Sequence, residues 1–144
     1  MISIYEKIME KVQKPGRYSG GELNITVKSW NEVKLRVALA FPDLYEIGFS
    51  HLGLRLLYHR INETSDYLAE RVYAPAKDME DELRKSQLPL FSLETKRSLA
   101  EFDLLGFTLQ YELSYTNILN MMSLAGIPLK REKRGEEYPL IIGG

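Results

Sequence analysis

The chain has 144 residues, 44% hydrophobic and 27% charged, with a formal net charge of -1 and no cysteine. This is the composition of one soluble globular domain. It excludes disulfides, a thiolate zinc site and an iron–sulfur cluster on the chain's own thiolates, and it gives no general attraction to nucleic acid or an anionic membrane.

Ile4, Tyr5, Ile8, Met9 and Val12 recur at helical spacing, and Ser3 with Glu6 has the spacing of a capping box. The pattern predicts an amphipathic helix over Ser3–Gln13. Acids and bases are mixed along it, so it is neither a signal peptide nor a membrane-surface helix. No apolar run approaches the roughly 18 residues of a membrane span, and the cytoplasm is the expected location. Pro15, Gly16, Gly20 and Gly21 then predict a loop. Leu23, Ile25 and Val27 alternate with polar residues up to Trp30, and Val33–Phe41 follows Asn31-Glu32. This reads as a hairpin whose second arm becomes the central strand. From Val37 to Phe41 the run is continuously apolar, as in a strand buried on both faces of a parallel sheet.

After Pro42 a loop with Gly48 and Ser50 leads into a helix ending near Asn62. Leu54, Leu57, Tyr58 and Ile61 form its stripe, and Leu52 and Leu56 widen it, so a mostly covered helix is expected. Ser50 is its expected N-cap. Tyr67–Tyr73 reads as a second strand, and Asp78–Ser86 as a short helix capped by Asp78 with a solvated acidic face. Phe91–Leu93 reads as a short added strand and Phe102–Leu109 as the third parallel strand. Gly106 within it implies close approach by another element. Ile118, Met121, Met122 and Ala125 mark a helix ended by Gly126 and Pro128; Lys130–Glu137 is charged, and Leu140–Ile142 is a last short strand. Strands alternating with helices predict an α/β domain with a mostly parallel sheet and helices on both faces.

In such a sheet ligands lie along the carboxyl ends of the strands. The loops there hold Asp43, Tyr45, Glu46, Gly48, Ser50 and His51, then Gln110, Tyr111, Glu112, Thr116 and Asn117, and finally Gly143 and Gly144. Hydroxyls, amides and aromatic rings suit a flat polar ligand. Glu46 and Glu112 are candidates for facing acids across the two loops. Gly48 and Gly53 lie five apart before a helix, but Leu54-Arg55 stands where a P-loop needs Lys-Ser/Thr. Gly48 is expected at a turn, and Gly53 at close packing of helix on sheet. His51 and His59, eight apart on one helix, are ~12 Å apart along its axis, too far to share a metal. Gln110-Tyr111-Glu112 stands where a phosphoacceptor receiver needs its aspartate.

Six stretches carry a family resemblance: PGRYSGGELN (Pro15–Asn24), LAFPDLYEIGFSHLGLRLLY (Leu39–Tyr58), ERVYAPAKDMEDELR (Glu70–Arg84), PLFSLET (Pro89–Thr95), FDLLGFTLQYELSYTNILNMMSLAGIPL (Phe102–Leu129) and PLIIGG (Pro139–Gly144). They resemble the N-terminal region of an uncharacterised family of radical S-adenosylmethionine proteins, in which a cobalamin-binding-like domain precedes the radical domain. The resemblance implies a three-layer flavodoxin-like, Rossmann-like domain over residues 1–144, strand order 2-1-3-4, with a helix and hairpin extension over 1–33. It implies a C-terminally truncated sheet, because family members run on through another helix, another strand and the radical domain. The family's three-cysteine cluster motif is absent. Phe49-Ser50-His51-Leu52-Gly53 departs from the D-x-H-x-x-G pattern that supplies a histidine to cobalt, so any cobalamin would bind without a protein histidine ligand.

The resemblance implies an accessory, non-catalytic domain partnered by a radical S-adenosylmethionine domain in cis or on a separate chain. The rival readings are a cofactor-free docking module and a small nucleotide- or flavin-binding protein, the last without motif support. An exposed last strand implies self-association, or borrowing of the N-terminal helix to cover the open face.

Overall fold

The apolar run ending at Phe41 forms the centre of a four-stranded parallel sheet in the computed structural model, which describes residues 3–144. The strands are β1 (Leu35–Phe41), β2 (Tyr67–Tyr73), β3 (Leu104–Phe107) and β4 (Leu140–Gly143), in the order β2-β1-β3-β4. β1 pairs in parallel with β2 along its whole length and with β3 over Val37–Ala40. Paired on both edges and packed on both faces, it is buried from Val37 onward.

The helices are α1 (Ile4–Met9), α2 (Gly16–Ser19), α3 (Tyr45–Gly48), α4 (Leu52–Asn62), α5 (Lys77–Ser86) and α6 (Tyr115–Leu124). Alternation along the strands divides the core in two. Ala38, Ala40, Val72, Leu105 and Phe107 pack with Met79 and Leu83 of α5, Met121 and Met122 of α6, and Ile8 and Met9 of α1. Val37, Leu39, Phe41, Ala69 and Tyr73 pack with Leu54 and Tyr58 of α4. The result is three layers, with the second helical layer represented by α4 over β1 and β2.

Several expectations change. The N-terminal helix has its Ser3–Glu6 capping box but stops at Met9; Val12 is buried beyond it. One helical turn, α2, interrupts the expected glycine loop. No hairpin forms over 22–33, because β1 already has β2 and β3 on its edges and leaves no place for a third partner. The segment instead crosses α4: Thr26 N–H donates to Tyr58 Oη at 2.8 Å, and Lys28 Nζ donates to the carbonyls of Asn62, Thr64 and Tyr67. Phe91–Leu93 makes only an isolated antiparallel bridge, Phe91 to Ser98. β3 is four residues long, shorter than the expected Phe102–Leu109.

Both caps move. His51, not Ser50, caps α4, its Nδ1 accepting from Leu54 N–H at 3.1 Å. Ala76 occupies the N-cap position of α5, and Asp78 uses one carboxylate oxygen to accept from Gln13 N–H at 2.8 Å. The acidic face of α5 is occupied too: Glu82 pairs with Lys11, and Glu80 with Arg84 and Asn120. α1 therefore covers α5 and stays on the already covered side of the sheet.

Candidate functional site

The loops after β1 and β3 meet at the carboxyl edge of the sheet. Asn117 Nδ2 donates to the Pro42 carbonyl at 2.9 Å, and Tyr111 Oη lies 3.4 Å from Asp43 Oδ2. Asp43 is held in turn, its Oδ1 accepting from Leu44 N–H at 2.7 Å and its carbonyl from Ala74 N–H at 3.0 Å. Gly144 joins the edge through Leu109 N–H, which donates to its carbonyl at 2.9 Å, and Gly143 ends β4 beside Leu109. Asp43, Tyr111, Asn117, Gly143 and Gly144 thus lie along one edge, while Gln110, Glu112 and Thr116 are exposed around it. A shallow cleft of about 340 Å³ between Asp43, Ala74, Lys77, Asn117 and Asn120 is the polar part of this edge.

The remaining predicted residues serve elsewhere. Tyr45 turns inward: its hydroxyl donates to Glu22 Oε1 at 2.6 Å and its ring meets Tyr73 edge-on at 5.3 Å. Gly48 belongs to α3 at a close packing point, where an added Cβ would lie 2.6 Å from Tyr73 Cε1 and 2.7 Å from Phe41 Cδ1. Gly53 lies in the first turn of α4, where an added Cβ would meet only the His51 ring, so the close packing expected of Gly53 falls to Gly48 instead. Ser50 bonds only to the nearby Ile47 carbonyl. His51 is engaged as a cap, with its ring 5.3 Å from Phe41. Glu46 pairs with Arg17 at 2.8 Å and with Lys14, so no acid pair forms with Glu112.

The largest feature near this edge is apolar. α4 covers the sheet over β1 and β2, leaving a trough of about 440 Å³ along β3 and β4 on the same face. Leu39, Leu104 and Ile142 line it, Leu57 and Ile61 of α4 form one flank, and Phe107, Thr108 and Gly143-Gly144 lie at its carboxyl-edge end. Gly106 is part of this lining and no element closes on it: an added Cβ would meet nothing nearer than 3.8 Å. Thr108 Oγ1, at the same end, is buried without a hydrogen-bond partner among the described residues. The expectation of a covered α4 fails here, with Leu52, Leu56 and Leu57 all more than half exposed.

A second polar assembly was missed. Arg71 and Glu70 lie inside an otherwise apolar strand, and two charges in LAERVY are the sequence signal for it. Glu70 is fully buried and accepts from the Ser92 hydroxyl at 2.5 Å and the Thr95 hydroxyl at 2.8 Å. Arg71 pairs with Glu94 and Glu22 at 2.7 and 2.8 Å. Burial pushes the Glu94 carboxyl up, opposed by Arg71. Burial also works against the Arg71 charge, but the two carboxylates prevail and hold it protonated. Together with Leu93 N–H, which donates to the Arg71 carbonyl at 2.7 Å, these groups close the outer edge of β2.

Among the described residues no cluster of three His, Asp or Glu side chains is arranged for a metal, and no helix is long and apolar enough to cross a membrane. A family model described as the N-terminal region of radical SAM proteins matches residues 53–144. No curated protein and no solved structure matches the chain.

Proposed function

Because the chain belongs to the family of radical SAM protein N-terminal domains, we propose that it positions a cofactor for a radical SAM domain and performs no reaction alone. Its lack of cysteine assigns the iron–sulfur chemistry to that partner, whether on the same polypeptide or a separate one.

The trough on the half-covered face is the observation that carries the reading. Its volume falls in the range of small-molecule sites, with apolar walls and few polar groups. Cobalamin is the proposed ligand. The side-chain-free floor at Gly106 suits its flat heterocyclic base, and the unpartnered Thr108 hydroxyl supplies a polar contact at the carboxyl-edge end. Bound cobalamin would supply an alkyl-carrying cobalt. This chain would give that cobalt no histidine, since His51 Nδ1 is occupied by Leu54 N–H and the D-x-H-x-x-G pattern is absent. Leu39, Leu104 and Ile142 would hold the base and exclude water from it, while Asp43, Tyr111 and Asn117 would face the polar part of the ligand.

A cofactor-free docking module is the second reading, supported by the exposed leucines of α4 and by Leu140 and Ile142 on edge strand β4. Self-association through β4 belongs to this reading. Gly106→Leu separates the two, because it fills the trough at a position with room for a side chain. Equilibrium dialysis should show saturable cobalamin binding by the wild type and at least about ten-fold weaker binding by Gly106→Leu, the loss expected when base contacts are removed. No cobalamin binding, with capture of a radical SAM domain or of a second copy, selects docking.

A further inference from the structure

The two flanks of α4 border different cavities. Leu57 and Ile61 line the trough; Arg55 and His59 line a second cavity of about 360 Å³ between α4 and residues 22–25, and Arg71 of β2 also lines it. The Arg71 side chain is only 6% exposed, and its nitrogens are unequally served. Nε donates to Glu94 Oε1 at 2.7 Å, while Glu94 Oε2 accepts from the Arg71 backbone N–H at 2.7 Å. Nη1 donates to Glu22 Oε2 at 2.8 Å, while Glu22 Oε1 accepts from the Tyr45 hydroxyl at 2.6 Å. Nη2 is buried and has no hydrogen-bond partner among the described residues. Each carboxylate therefore gives the side chain one oxygen, and neither makes the two-pronged pair that a guanidinium favours.

Glu22 is carried by a segment without regular structure. Gly20, Gly21 and Asn24 have φ of 68°, 75° and 66°, and neighbouring Leu23 is 92% exposed. The Glu22 carboxylate is thus the local tether of this segment to the sheet. We propose that the cavity binds a small organic carboxylate with an apolar body, which replaces Glu22 on Arg71 and engages Nη1 and Nη2 together. The exchange adds no net charge to the buried cluster, because one carboxylate leaves as another arrives. Ile25, Phe49 and Tyr58 provide apolar lining, and Arg55, 5.9 Å from the Phe49 ring, adds a positive charge. The released segment swings on Gly20-Gly21. This site lies apart from the trough, and its occupancy does not depend on cobalamin.

Calorimetric titration of the intact chain with benzoate, hexanoate and inorganic phosphate tests the proposal. The two carboxylates should bind saturably, and phosphate, which has no apolar body, much more weakly. Glu22→Gln removes the competing carboxylate and should tighten benzoate binding about ten-fold, the scale of one charge-assisted hydrogen bond. Arg55→Ala alters an exposed side chain; it should weaken benzoate several-fold and leave the melting temperature unchanged. The proposal is overturned if neither the wild type nor Glu22→Gln binds a carboxylate saturably. It is equally overturned if phosphate binds as tightly as benzoate, or if benzoate binding is indifferent to Arg55→Ala. The Arg55 variant decides the matter even if Glu22→Gln fails to fold.

Discussion

Tyr73 closes the space between β2, Gly48 and Tyr45, and its surroundings make its ionisation readable. Burial pushes its phenol up to about 12; Arg71 opposes the shift, and Glu22 and Glu94 add to it. In the unfolded chain the phenol ionises near 10. The folded state therefore keeps the proton in a window where the unfolded state loses it. The stabilisation is complete below pH 10, declines as pH rises from there, and is fully lost above about 12. Two units correspond to roughly 2–3 kcal/mol. Tyr73→Phe should flatten the alkaline limb of the stability curve by about half of that, roughly 1 kcal/mol, between pH 9 and 11, measured by urea unfolding; an unchanged limb would refute this burial account. At this scale Asp43, Tyr111 and Asn117 were legible as edge residues, because strand ends locate them. Tyr45 and Gly48 were not: their roles depend on the Tyr73 ring from a strand 25 or more residues away, which local spacing does not encode.

The joint between α4 and β2 rests on Asn62. Its Nδ2 donates to the Ala69 carbonyl and its Oδ1 accepts from Ala69 N–H, both at 3.0 Å and both buried. Asn62→Ala leaves two buried backbone groups without partners and should cost about 2–4 kcal/mol. Chemical denaturation measures it, and a loss below 1 kcal/mol would mean that the joint is held by packing alone. The sequence marked Asn62 only as a helix stop, because a side chain bonding seven residues ahead leaves no periodic trace. Helix positions were legible from apolar spacing, but caps were harder to read. His51 displaced Ser50 because an imidazole nitrogen serves as acceptor as well as a hydroxyl does, and Ala76 left Asp78 to bond with Gln13. The alternation at Leu23, Ile25 and Val27 mimicked a strand, although no sheet edge was open to receive it.

For the whole molecule, the strand order β2-β1-β3-β4 was legible from the alternation of strands and helices and from the family resemblance. The open trough was not, because Leu52 and Leu56 signal cover without saying what supplies it. Gly106 signalled close approach, whereas it leaves a floor without a side chain. That floor is the basis of the proposed corrinoid role. The most direct measurement is the absorption spectrum of cobalamin titrated with the purified chain. The account predicts a saturable change to the spectrum of cobalamin whose base has left cobalt, because the trough would hold the base and no histidine would take its place. A spectrum unchanged at saturating protein, or one showing a new histidine ligand on cobalt, would contradict it.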